Sequence, residues 1–253
     1  MLVDYHVHAM GHATSSHTVE EFTAYLETAR LRGVSQIGIA DHDRYLDQYN
    51  LGALAESAKN FPDIQVRFGV EIDYIRHADE KLKAMVYRYP FDFVIGSVHK
   101  IHDWDFDHNG YLKNYGLWEE DALYLEYFKR IAEVARSGLF SFIGHLDLIK
   151  IFKVRSKRPV LELAEEALQA IRKSGLPCEI NTNGFNKPIG EFYPSRELLE
   201  RCFELSIPIT LSSDAHFSHE VGRDLEKARE LAWSVGYRQV ATFYQRKCIM
   251  EHL

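Results

Sequence analysis

Short apolar, β-branched runs recur along the chain and alternate with longer amphipathic stretches. The runs are LVDYHVH, SQIGIADH, IQVRFGVEID, FDFVIGSVH, FSFIGHLD, PCEINTN and IPITLSSDAH, whose length and Val/Ile content predict strands. Between them, TVEEFTAYLETARLRG, EDALYLEYFKRIAEVARSG, PVLELAEEALQAIRKSG, SRELLERCFELS and HEVGRDLEKARELAWSVG space their apolar residues three or four apart, as one face of a helix requires. Gly33, Gly138, Gly175 and Gly236 stand where helices end in a left-handed residue. Strand and helix thus alternate about seven times, which predicts a parallel sheet with crossover helices, open or closed.

The polar residues decide between open and closed. His6 and His8 end the first run, Asp41 and His42 the second, Glu71 and Asp73 the third and His99 the fourth. His145 and Asp147 end the fifth, Asn181 and Asn183 the sixth, Asp214 and His216 the seventh. A closed barrel gathers the C-terminal ends of its strands around one axis, whereas an open sheet scatters them along an edge. The expected fold is therefore a single-domain, distorted TIM-like (β/α)7 barrel over residues 1–253, with its site at that end. Side chains alternate along a strand, so His6 and His8 share a face and can address one ion. Imidazole and carboxylate together suit Zn, Fe or Mn, whereas Ca and Mg prefer oxygen alone. Eight or nine such residues exceed what one ion needs.

Composition narrows the function. Lys plus Arg is 30 and Asp plus Glu 37, a net charge of -7, which disfavours a general nucleic-acid or anionic-membrane binder. No apolar run of about 18 residues predicts a membrane span, and no signal peptide is visible. Cys178, Cys202 and Cys248 are scattered and odd in number, as in a reduced cytoplasmic protein. Oligomeric state is not legible. Residues 100–118, KIHDWDFDHNGYLKNYGLW, form one long aromatic and polar connection, expected to act as a lid or binding loop.

The motifs DYHVH, IADHD, GVEIDY, FDFVIGSVHKI, FIGHLDLIK, EINTNGF followed by YPS, and LSSDAH followed by VG occur in order at strand ends. Together they resemble the PHP (polymerase and histidinol phosphatase) superfamily, closest to its histidinol-phosphatase branch. The resemblance covers the chain from Asp4 to about Gly222. It implies three divalent metal ions and hydrolysis of a small phosphorylated metabolite, L-histidinol phosphate above others, with inorganic phosphate as product. By that resemblance His6, His8, Glu71 and Asp214 hold the first ion. Glu71 bridges to a second, completed by His99 and His145. His42, His216 and an early-loop histidine hold the third. For that last ligand, His12 in HVHAMGH is favoured over His17, which stands at a helix start.

The implied mechanism uses a hydroxide shared between ions, attacking phosphorus in line with the leaving alkoxide. Glu71, Asp214 and His216 count as catalytic as well as ligating, and Asp147 and His102 compete as proton donors to the leaving group. Cations for the phosphate are expected from IKIFKVRSKRP, with Lys150 and Arg158 preferred, and from Lys187; Tyr193 and Ser195 would donate hydrogen bonds. His77, His108, His219 and His252 lack a strand-end position and are expected on the surface. Three other readings stay open: a nuclease or nucleotide phosphoesterase of the same superfamily, an amidohydrolase-like C–N or lactone hydrolase with fewer ions, and a non-enzymatic metal binder.

Overall fold

The computed structural model describes residues 1–11, 16–76 and 79–253, with side chains of the last stretch described from residue 80. Its elements, in order, are β1 (Leu2–Val7), α1 (Val19–Leu31), β2 (Val34–Ile39), α2 (Leu51–Ala58), β3 (Gln65–Asp73), α3 (Asp79–Arg88) and β4 (Phe93–Ser97). A short hairpin, β5 (Lys100–Ile101) and β6 (Trp104–Asp105), precedes α4 (Glu120–Ser137), β7 (Phe142–Ile143), α5 (Val160–Ser174), β8 (Cys178–Asn181) and α6 (Arg196–Glu204). The chain ends with β9 (Ile209–Ser212), α7 (Leu225–Val235) and a second hairpin, β10 (Gln239–Tyr244) with β11 (Lys247–His252).

Seven strands pair in parallel in the order β1-β2-β3-β4-β7-β8-β9. The residues beyond β9 return to β1 through a parallel bridge between Val7 and Ala215, with His8 N donating to Ala215 O at 2.7 Å. The sheet is thus a nearly closed (β/α)7 barrel, as the strand-end chemistry required. Local signals agree with it. Thr18 and Glu21 form a reciprocal capping box that starts α1. Gly138 and Gly175 end α4 and α5 in the left-handed region.

An aromatic cluster fills the barrel below the site. Phe93 stacks on Phe142 and meets Tyr5 edge-on at 5.1 Å between ring centroids. Phe243 of β10 packs against Tyr5, Phe93 and Phe142. The Phe93 ring has room because its neighbours are glycines: a Cβ on Gly38 or Gly69 would lie 2.5 or 2.4 Å from it. The β10–β11 hairpin, which the sequence pattern did not predict, therefore closes the end of the barrel opposite the site. The helices α2 and α3 were not predicted either.

One irregularity in β1 matters for the site. Asp4 pairs with Ile37 and Val7 with Ile39, so three steps along β1 face two along β2. This bulge changes the alternation of the strand. Tyr5 thereby joins the aromatic floor while both His6 and His8 face the chamber above it.

Candidate metal centre

Five imidazoles surround one carboxylate at the top of the barrel. Glu71 Oε1 lies 3.4 Å from His6 Nε2, 3.4 Å from His99 Nε2 and 3.1 Å from His145 Nε2. Glu71 Oε2 lies 2.8 Å from His42 Nδ1 and 3.6 Å from His8 Nε2. Asp214 approaches from the residues after β9, with Oδ1 3.4 Å from His8 Nε2 and 3.6 Å from His216 Nδ1. Three groups of potential ligand atoms result, each able to converge on one point: His6, His8 and Glu71; Glu71, His99 and His145; His8, His42 and His216. Glu71 belongs to two of them, as expected for a bridging residue, and His8 also belongs to two.

The donors fit a cation. His99 Nε2 and His145 Nε2 stand 3.2 Å apart with Glu71 Oε1 beside both, so three atoms able to ligate crowd one point. The buried His6 Nε2 makes no hydrogen bond. Burial alone would raise the Glu71 carboxyl, but His6, His99 and His42 around it hold it well below the usual value. Asp214 is likewise held low against its burial, by His6, His8 and His216. Burial lowers His8 well below the ordinary imidazole value, and His216 and His42 add to the effect. Against their burial, Glu179 and Glu71 raise His6 well above the ordinary value, and Glu71 and Asp73 raise His99 to about 10. These two rings carry protons that a bound ion would release, since ionised carboxylate and neutral imidazole are the forms that ligate metals.

A layer of buried polar groups holds these side chains. Glu179 accepts from His6 Nδ1 at 2.7 Å and from the His145 backbone N–H at 2.6 Å. Asp73 accepts from the His99 backbone N–H at 3.0 Å, and Asp41 from Met10 N at 2.7 Å. Asn181 Nδ2 donates to Asp214 Oδ2 at 3.1 Å. Asp4 accepts from Ser213 N, Ser213 Oγ and Gly222 N, fixing the loop that carries Asp214. Glu179 escaped the sequence reading. Its signal was position: it precedes Asn181 by two residues and so shares its strand face.

The early-loop ligand divides in two. His12, like His77, lies outside the described residues. His17 is buried against Phe22 and Tyr49, with Nε2 3.4 Å from Asp41 Oδ2, and belongs to none of the three ligand groups. It sits behind His8 through Asp41, whose Oδ1 lies 4.0 Å from His8 Nδ1.

A cleft of about 600 Å³ opens above the centre, lined by His8, His42, Glu71, His99, His145, Asp214 and His216. Lys187, Arg44 and Lys100 bring cations to its wall, with Asn183, and Asp43, Asp73, Asp105 and Asp107 bring carboxylates. His108, expected on the surface alone, also lines it. Other expected contacts sit elsewhere. Lys150 is buried, its ammonium 2.8 Å from Asp147 Oδ2 and donating to Phe192 O at 2.7 Å, beside a separate pocket that Ser195 also lines. Asp147, expected as a proton donor, accepts from Lys150 and from Ser195 N at 2.9 Å and is not among the residues lining the cleft. Arg158 is exposed and pairs with Glu162 one helical turn away. The exposed His102 stacks on Trp118 away from the cleft wall. Tyr193 is buried, its ring 6.5 Å from that of His145, and is not among the lining residues. The cations Lys150 and Arg158 took nearby carboxylates, which sequence order does not reveal, whereas the buried Tyr193 and Ser195 hydroxyls make no hydrogen bond among the described residues.

Comparison with known proteins agrees with this architecture. The PHP domain family model matches residues 4–183. A protein of Deinococcus radiodurans named as a probable histidinol-phosphatase is 35% identical over 262 residues, covering 97% of this chain and 98% of that one. The histidinol-phosphatase of Lactococcus lactis subsp. lactis is 26% identical over 267 residues, covering 95% and 94%. A crystal structure of histidinol phosphate phosphatase from the same organism, complexed with zinc, L-histidinol and phosphate, shares the fold with a TM-score of 0.81 at 24% identity, covering 98% of both chains. With a family model matched over most of its length and a relative this similar end to end, this chain belongs to the PHP domain family.

Proposed function

We propose that this protein is a metal-dependent phosphomonoesterase that hydrolyses L-histidinol phosphate to L-histidinol and inorganic phosphate, with residues 1–253 as one catalytic domain acting in the cytoplasm. The observation that carries the reading is the ring of five imidazoles around Glu71 at the mouth of a barrel of this family. His6, His8, Glu71 and Asp214 would hold one ion, Glu71, His99 and His145 a second, and His42, His216 and His12 a third. The ions would be Zn, Fe or Mn, which suit this mixture of nitrogen and oxygen. When bound, such ions lower the pKa of water and offset charge on phosphate oxygens.

The protein's own side chains would orient the substrate. Lys187, with Arg44, lines the cleft and would hold phosphate oxygens turned away from the ligands, whereas Lys100 is already paired with Asp105 at 3.3 Å. Asp43 and Asp107 face the same space from the β2 and β6 ends and complement an ammonium group, which histidinol phosphate carries. The same carboxylates repel a polyanionic strand, so the metabolite is favoured over nucleic acid. The test is turnover of histidinol phosphate against a panel of nucleotides and a single-stranded oligonucleotide, with metal content measured on the same sample. Histidinol phosphate should be the fastest substrate and metal content should approach three per chain. Equal turnover of a generic phosphomonoester would remove the specific assignment, and a content near one would remove the trinuclear reading.

A further inference from the structure

We infer that Glu179 is a positioning residue that turns the imidazole of His6 toward the metal and ties the ligand-bearing strands to one another; the inference rests on the metal-centre reading above. β8 supplies no residue to any of the three ligand groups, yet its Glu179 is fully buried among those that do. Its two oxygens receive four donors. Oε1 faces His6 Nδ1 at 2.7 Å and accepts from Ser212 Oγ. Oε2 accepts from the His145 backbone N–H at 2.6 Å and from Asn181 Nδ2 at 3.2 Å. The same Asn181 amide reaches Asp214 Oδ2. One carboxylate therefore touches β1, the residues after β7, and β9, and through Asn181 it touches Asp214.

The chemistry follows from counting donors. An ionised carboxylate only accepts, so Nδ1 of His6 keeps its proton toward Glu179, and with an ion bound it is Nε2, on the side of Glu71, that would give its lone pair. The negative charge behind the ring also strengthens Nε2 as a ligand. A glutamine cannot replace it. Its NH2 would face either His6 Nδ1 and Ser212 Oγ or the His145 N–H and Asn181 Nδ2. The first choice moves the His6 proton to Nε2, where it blocks the ion; the second displaces His145.

The test uses the full chain stripped of metal and titrated with Zn²⁺ against a chromophoric chelator. Glu179→Gln should weaken Zn²⁺ binding about 10- to 100-fold. His6→Ala should weaken it comparably or more, and the double variant should lose less than the product of the two single losses, because a large part of the effect of Glu179 runs through that ring. Unchanged affinity in Glu179→Gln, or losses that multiply in the double variant, would overturn the inference. If the variant does not fold, imidazole ¹⁵N spectra of Zn²⁺-loaded wild type decide: His6 should be protonated at Nδ1 and metal-shifted at Nε2, and metal on Nδ1 would refute it. A wild type that binds no Zn²⁺ sinks the metal-centre reading and this inference with it, whereas a normal wild type with an indifferent Glu179→Gln sinks only the inference.

Discussion

The Glu71 centre and the Lys150 cluster meet in the residues after β7, where His145 serves the first and Lys150 the second, and they have opposite needs. Around Glu71, imidazole nitrogens and carboxylate oxygens, all able to ligate a cation, face one another at 2.8–3.4 Å. Around Lys150, an ammonium meets Asp147, the Phe192 carbonyl and, at 3.4 Å, Glu191. An ammonium has three donors, and here each has an acceptor. Clustered ligand atoms call for a cation from outside; a cation with its acceptors already around it holds the fold together. The difference teaches that charge alone does not mark a binding residue: what counts is whether its partners come from the chain.

Substitutions can break this contrast. Glu71→Gln removes the carboxylate shared by two ligand groups and should lower kcat on the order of 10³-fold while bound metal falls; wild-type turnover with full metal would refute its bridging part. Lys150→Ala should act on stability instead, costing about 3–5 kcal/mol in denaturant unfolding because Asp147 is left buried without its cation. An unchanged unfolding midpoint with a raised KM would return Lys150 to the substrate.

A third experiment uses pH. Burial raises the Asp4 carboxyl to about 6 against the donors that lower it, so the folded state holds this proton more tightly than the unfolded chain. The contribution of Asp4 to stability is then greatest at about pH 4 and below, declines as pH rises toward 6 and is level above that. The stability of wild type relative to Asp4→Asn should fall by up to about 3 kcal/mol across that window, at about 1.4 kcal/mol per pH unit. A difference independent of pH would mean that Asp4 is not titrating there. The smallest effects belong to the outer cations. Lys187→Ala should raise KM about tenfold, the loss of one charge-assisted contact, while Arg158→Ala should leave kinetics unchanged and stability within about 0.5 kcal/mol. Equal kinetic effects would erase the distinction between cleft and surface.

Legibility followed the same division. The strand-end residues His6, His8, His42, Glu71, His99, His145, Asp214 and His216 were readable because strand periodicity and barrel closure aim them at one point. Their supports were half-readable: Asp41, Asp73 and Asn181 stood out as strand-end polar groups, but that they back His8, His99 and Asp214 depends on side-chain contacts. Glu179 was passed over because it lies inside its strand rather than at the end. Arg158, Lys150, Asp147 and His102 do not line the cleft, because loop residues choose partners by proximity in space, such as Asp121 in the first turn of α4 meeting the Arg158 backbone at 3.0 Å.

The sequence by itself determined the (β/α)7 alternation, the end of the barrel at which chemistry gathers and the kind of ligand found there, because hydrophobic period and strand polarity are local properties. Tertiary structure decided which carboxylate stands at the centre of five imidazoles, which backs a ligand and which neutralises a lysine. Those outcomes depend on distances between residues as far apart as His6 and Glu179, where a shift of about 1 Å separates a hydrogen bond from no interaction.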